Sequence, residues 1–262
     1  MLHNGIVYSV NDNDEYIAKM VNSINSLFHF SKGLIDNTTV FVLTDSPDSV
    51  EKKVGVLIDD GIKFKVIGLA NDEYADCCTG CRKRYTKHIH YRFELFRHPE
   101  LVELDNSLYI DCDTDFNDTI EELFVDHSEP TIHLVVECEN PLRDRRGNSK
   151  VGGLNCSTYY NSGFMFMTPK LIGVDMLKSL FDQMSRLPLE YELEHPDQDA
   201  LNVVLDKDEY SWMIKPLPKT YNYSCWTKPR SSAAATMAEM NYKMKHYGGG
   251  KKYEKRFLNS NS

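Results

Sequence analysis

No run of about 18 apolar residues occurs in the 262-residue chain, so no transmembrane helix is expected. The opening residues, MLHNGIVYSV, lack a basic segment leading into an apolar one, so no secretory signal is expected and the chain reads as cytoplasmic. No long basic-aromatic tail of the kind used for membrane attachment is present. An excess of positive charge is also missing. The 30 basic residues are outnumbered by 39 acidic ones, for a net charge of −9. That balance argues against a general nucleic-acid binder, because phosphate backbones demand clustered Lys and Arg. An anionic small ligand needs local positive charge or a metal against this background. Internal repeats and low-complexity linkers are absent.

Cysteine is present but not as a framework. Seven is an odd number, and only Cys77, Cys78 and Cys81 cluster. A CxxC with one more cysteine suits zinc, yet no second CxxC or clear histidine pair completes it, although His88 and His90 lie nearby. The reading is a set of intracellular thiols in a polar loop.

What is there begins with alternation. Residues 5–10, 39–43 and 64–67 read as short buried strands. Between them, residues 15–30 carry Ile17, Met20, Val21, Ile24, Leu27 and Phe28 at helical spacing, with Asp14 as the expected cap, and residues 46–58 look helical again. A helix around 90–96 precedes a fourth strand at 107–110. This β-α-β-α-β order predicts a mostly parallel sheet with helices on both faces. Strands are expected at 131–136 and 160–167, and helices at 171–187 and 197–205. The Ala-rich stretch 231–240 reads as a helix or loop. One α/β domain is expected over 1–262.

The chemistry starts where the fourth strand ends, at Asp111-Cys112-Asp113-Thr114-Asp115. Ligands of open α/β sheets bind beyond the carboxyl ends of strands. Two carboxylates two residues apart at such a point can face one divalent cation bridging a diphosphate. By itself the triplet also fits a solvated acidic turn. An EF-hand loop needs glycine where Phe116 stands and a helix, not a strand, before it. A haloacid-dehalogenase-type phosphatase usually has Thr or Val where Asp115 stands, and no downstream Lys and acidic pair matches.

Three more motifs follow in order. Tyr160-Asn161-Ser162-Gly163 precedes an apolar strand, His195-Pro196-Asp197-Gln198-Asp199 opens a helix, and His246-Tyr247-Gly248-Gly249-Gly250-Lys251-Lys252 lies near the end. With DxD, these make the chain resemble glycosyltransferase family 8 over residues 5–253. The resemblance implies a GT-A fold whose Rossmann-like nucleotide-binding half covers about 1–115 and whose acceptor and sugar half covers about 116–262. It implies metal ligation by Asp111, Asp113 and His246. An imidazole beside two carboxylates favours manganese over magnesium or calcium. Ser9, Asn11, Asn13 and Cys112 are implied at the nucleotide, with Asn11 standing where an Asp is common. Arg92, Gly249 and Lys252 are implied at the diphosphate, although Tyr253 and Glu254 replace the Pro and Trp that often follow that Lys. Asn161, Asp197, Gln198 and Glu137 are implied near the transferred sugar.

The activity implied is retaining transfer of a hexose from a nucleotide-sugar, UDP-glucose or UDP-galactose by family habit, to a glycan or other hydroxyl acceptor. Gln198 is a poor nucleophile, which favours front-face attack over a covalent intermediate. A different class, a non-catalytic nucleotide-sugar or glycan-binding module on the same fold, stands as the alternative. Tyr159, Tyr160, Tyr221, Tyr223 and Trp226 read either as an acceptor platform or as packing aromatics. Acceptor and oligomeric state are not written in the sequence.

Overall fold

The computed structural model describes residues 2–69, 74, 87–138, 158–168, 174–190, 195–224 and 241–247. The first strand, β1 (Asn4–Ser9), runs parallel to β2 (Thr38–Thr44) on one side and β4 (Asn106–Ile110) on the other. Beyond β2 lies β3 (Phe64–Gly68), also parallel. Past β4 come β7 (Tyr159–Met167), β6 (Ile132–Cys138) and β8 (Ile214–Leu217). The order is β3-β2-β1-β4-β7-β6-β8, and β7 alone is antiparallel to its neighbours.

Both faces of this sheet are covered, which is why its strands are rich in apolar residues without polar alternation. Ile6, Tyr8, Val40, Val42, Leu108 and Ile110 share a core with helix α1 (Asp14–Phe30) and helix α2 (Pro47–Leu57). Val7, Phe41, Leu43 and Tyr109 point the other way. They pack with a 3-10 segment (Lys87–Phe96), helix α3 (Val174–Glu190) and helix α4 (Pro196–Leu205).

The structure shifts several expectations. The cap of α1 is Asn13, whose side chain accepts from the N–H groups of Glu15 and Tyr16. Asp14 instead lies in the first turn, where its charge complements the helix dipole. Residues expected as a helix around 90–96 form the 3-10 segment, with His90 through Phe96 buried. The strands β5 (Thr114–Phe116), β8, β9 (Tyr223–Ser224) and β10 (Met244–His246) were not expected. They are short or polar, and three of them make a separate small sheet ordered β5-β10-β9. Residues 231–240, Trp226 and the three clustered cysteines lie outside the described residues.

Two features of topology build the site. The small sheet brings β10 antiparallel to β5, the strand that follows Asp113. In β7, pairing with β6 jumps from Leu134↔Met165 to Val135↔Asn161, so residues 162–164 bulge out of that ladder. Bulges re-aim backbone groups, and this one coincides with Ser162-Gly163.

Candidate active site

At the carboxyl end of β4, Asp111 donates its N–H to the carbonyl of Gly163 (3.0 Å). His246 arrives from β10, and Tyr247 N–H donates to the Asp113 carbonyl (2.9 Å). His246 Nε2 lies 3.2 Å from Asp113 Oδ1 and 3.5 Å from Asp111 Oδ2. One ligand atom from each of the three residues falls within 4.8 Å of the other two. Two ligands about 2.1 Å from an octahedral ion are about 3 Å apart, so these separations suit three ligands of a single divalent cation. His246 Nδ1 is buried and has no hydrogen-bond partner among the described residues.

Gly163 shows how tightly the group is packed. A Cβ there would lie 2.5 Å from Asp111 Oδ2 and 2.7 Å from His246 Cε1. Only glycine lets β7 approach the two ligands this closely.

Burial by itself pushes the His246 imidazole down. The charge of Asp113, its hydrogen bond to Asp113 and the charges of Asp111 and Glu137 outweigh burial and bring the group up to about 9. The metal-free imidazole is therefore protonated at pH 7, and a cation must displace that proton. The raised value stabilises the metal-free fold below about pH 6.5, a contribution lost as pH rises through about 9. Metal affinity runs the opposite way. We expect it to strengthen about tenfold per pH unit from 7 to 9 and then level off, read by manganese titration at fixed ionic strength. A flat profile over that range contradicts a protonated His246.

Arg92 is the hub behind the three candidate ligands. It is 4% exposed, and each of its three nitrogens has a protein partner. Nε donates to Ile89 O (2.7 Å), Nη1 to Ser162 O (2.7 Å) and Ser162 Oγ (2.6 Å), and Nη2 to Asp111 Oδ1 (3.0 Å). Nη1 also pairs with Asp197 Oδ2 at 3.2 Å, and the guanidinium lies over the Tyr109 ring. Burial opposes its charge, but the two carboxylates override burial and raise it above its ordinary range. In turn, burial pushes the Asp197 carboxyl up, and the charges of Arg92, His90 and His195 with the Ser162 hydrogen bond together more than reverse that. Such a pair tolerates burial because neither charge is left alone.

The residues expected near a transferred sugar form one network around the β7 bulge. Ser162 N–H donates to Gln198 Oε1 (3.0 Å), and Ser162 Oγ donates to Asp197 Oδ2 (3.0 Å). Gln198 Nε2 and Asn161 Nδ2 both donate to Glu137 Oε2, at 2.7 and 3.2 Å. Asn161 Oδ1 accepts from Gly163 N–H (2.8 Å) and from Asn222 Nδ2 (2.6 Å). Asn202 fastens α4 to β7 by accepting from Tyr160 N–H (2.7 Å) and donating to Tyr160 O (2.8 Å).

Among the residues expected at a nucleotide, Ser9 Oγ lies 2.8 Å from Tyr109 OH, which donates to Asp111 Oδ1 (3.0 Å). Burial pushes the Tyr109 phenol well up, so it stays a donor. Burial, then the charges of Asp111 and Asp113, do the same to the Cys112 thiol, which donates to Ser9 O (3.0 Å). Asn11 is half-buried in the loop after β1, and Asn13 is exposed with its oxygen engaged as the α1 cap. Gly249 and Lys252 lie outside the described residues. Tyr109, Ser162, Asn202 and Asn222 carry structure here that motif reading did not assign. Ser162 and Asn202 sit inside or beside quoted motifs, whereas Tyr109 and Asn222 look like ordinary strand and loop residues in sequence.

The sequence profile of glycosyl transferase family 8 matches residues 6–253. The chain belongs to glycosyltransferase family 8. No curated protein matches it in sequence. Among solved structures, an active-site mutant of LgtC aligns at 16% identity over 94% of this chain and 88% of that one, TM-score 0.66. The galactosyltransferase LgtC with donor and acceptor sugar analogues aligns at 18% identity, 94% and 87% coverage and TM-score 0.63. Mouse xyloside xylosyltransferase 1 aligns at 15% identity, 95% and 98% coverage and TM-score 0.60. These likenesses identify the fold as GT-A. Family membership makes the protein a glycosyltransferase. No helix among the described residues is long and apolar enough to cross a membrane.

Proposed function

We propose that this family 8 enzyme transfers a hexose, with retention, from a UDP-sugar to a hydroxyl of a glycan or other acceptor, with manganese or magnesium held by Asp111, Asp113 and His246. The observation that carries the reading is the convergence of those three ligands beyond the carboxyl end of β4, beside Gly163. When bound, the ion supplies electrostatic stabilisation to the leaving diphosphate. Residues 1–115 contribute the donor half, in which Ser9, Asn11, Asn13 and Cys112 line the nucleotide. Residues 116–262 contribute the sugar and acceptor half, and Gly249 and Lys252 close on the diphosphate.

Within this reading Arg92 acts chiefly by holding Asp111 and Asp197 in place, since its nitrogens are engaged by protein groups. Asn161, Asp197 and Glu137 orient hydroxyls of the transferred sugar. A thermal-shift panel of UDP-, GDP- and dTDP-sugars with manganese tests the donor class. The largest stabilisation is expected from one UDP-hexose. Folded protein with no shift from any donor contradicts the proposal.

Gln198 supports front-face attack. Its oxygen faces the Ser162 N–H and its nitrogen faces Glu137, so both ends of an already poor nucleophile are tied. The departing phosphate then takes the acceptor proton. Gln198→Ala is expected to lower kcat about 10- to 100-fold through loosened geometry, with donor KM within a few-fold of wild type. Complete loss of turnover with intact donor binding favours a covalent role instead.

A further inference from the structure

His246 reaches the site from a strand of three residues, far in sequence from the two carboxylates. Something must fix that strand against the segment leaving Asp113. Backbone pairing supplies part of it: Asn117 N–H donates to Lys243 O (2.9 Å), and Lys243 N–H donates to Thr220 O (2.7 Å). The Lys243 side chain supplies more. Its ammonium, on a side chain 19% exposed, lies 2.6 Å from Glu122 Oε1 and 3.7 Å from Asp118 Oδ2, and donates to Thr119 O at 2.6 Å. Tyr221 OH donates to the same Glu122 oxygen (2.5 Å), and the Tyr221 ring lies under the ammonium at 5.4 Å.

We propose that Lys243, Glu122 and Tyr221 form a clamp that positions His246 for metal binding. The clamp rests on the metal site proposed above. Lys243 binds three residues of the stretch that follows β5, so β10 is tied to the same segment that carries Asp113. Tyr221 ties in the turn leading to β9, the other neighbour of β10. The Lys243 side chain is 19% exposed against 44% for Glu122 and 61% for Asp118, so solvent screens the ion pairs and the contacts to Thr119 O and the Tyr221 ring share in the hold. Loosening it leaves the ligands present but lets His246 wander from the two carboxylates. Supporting groups behind a metal ligand commonly set affinity by 10- to 100-fold.

The test is manganese titration of the full chain, read both as direct binding and as activation of turnover. Lys243→Met keeps the stem and removes the charge. It is expected to weaken manganese about tenfold while turnover at saturating manganese returns to near wild type. Tyr221→Phe removes one hydroxyl and is expected to weaken manganese about threefold. A merely structural role lowers stability without moving the manganese midpoint. Unchanged midpoints in Lys243→Met overturn the clamp, and if that variant fails to fold, an unchanged midpoint in Tyr221→Phe does so. A wild-type chain that binds no manganese, or an Asp113→Ala chain that binds it equally well, overturns the metal site itself and the clamp with it.

Discussion

Asp113→Ala is expected to reduce kcat/KM about a thousandfold. The substitution deletes the carboxylate nearest His246, 3.2 Å from its Nε2. Two ligands remain, and the cation loses both an anionic oxygen and the partner that orients the imidazole. Metal stabilisation of a leaving diphosphate is worth several kcal/mol, and about 4 kcal/mol corresponds to a factor of a thousand. The effect must come with loss of manganese binding and with a fold intact by circular dichroism. Asp113 is also one of the charges that raise His246, so the variant's imidazole titrates lower than wild type. Retention of activity within about fivefold means that the cation is bound elsewhere or is not needed.

Gly163→Ala is the second large expected effect, and a less obvious one because glycine has no functional group. The added methyl lies 2.5 Å from Asp111 Oδ2, 2.7 Å from His246 Cε1 and 3.0 Å from Asn161 Oδ1. It therefore collides with two proposed ligands and with Asn161 at once. The backbone cannot retreat freely, because Gly163 O is bonded to Asp111 N–H and its N–H to Asn161. Overpacking of this kind costs about 1–3 kcal/mol of stability. The loss in manganese affinity is expected to be about a hundredfold, since displacing ligands damages affinity at least as much as losing a supporting group. Manganese titration alongside thermal unfolding separates the two effects. Wild-type affinity in this variant indicates that the close approach of β7 does not shape the metal site.

Much of the scaffold was legible because its signals are local. Apolar residues at positions 17, 20, 21, 24, 27 and 28 fix α1 by spacing alone, and all are buried. The strands β1, β2 and β4 are β-branched or aromatic runs that a doubly covered sheet requires. The three proposed metal ligands came from motif order, and folding brings them together. The small sheet was not legible. Its strands are two or three residues long, below the length at which alternation carries information. The α1 cap was misassigned by one residue because Asn13 and Asp14 are both good caps, and only backbone geometry decides between them.

The surroundings of Arg92 and Gln198 were the least legible in the sequence. As a residue in HYRFELF, Arg92 reads as a phosphate ligand or a surface charge. In the fold it is buried between Asp111, Asp197 and Ser162, a set spread over three separate elements. No spacing rule reports such long-range pairing. Gln198 likewise depends on a β7 bulge, which leaves Ser162 N–H to be satisfied by a side chain instead of by β6. Bulges are set by three-dimensional pairing, and an Asn-Ser-Gly triplet gives only a hint of one.

The most direct test of the account follows free nucleoside diphosphate released from UDP-hexoses by the purified protein with manganese, before and after chelator. The account predicts slow release from one donor, abolished by chelator, restored by added manganese and absent in Asp113→Ala. Release that persists in chelator, or in Asp113→Ala, contradicts a reaction that depends on a cation at Asp111, Asp113 and His246.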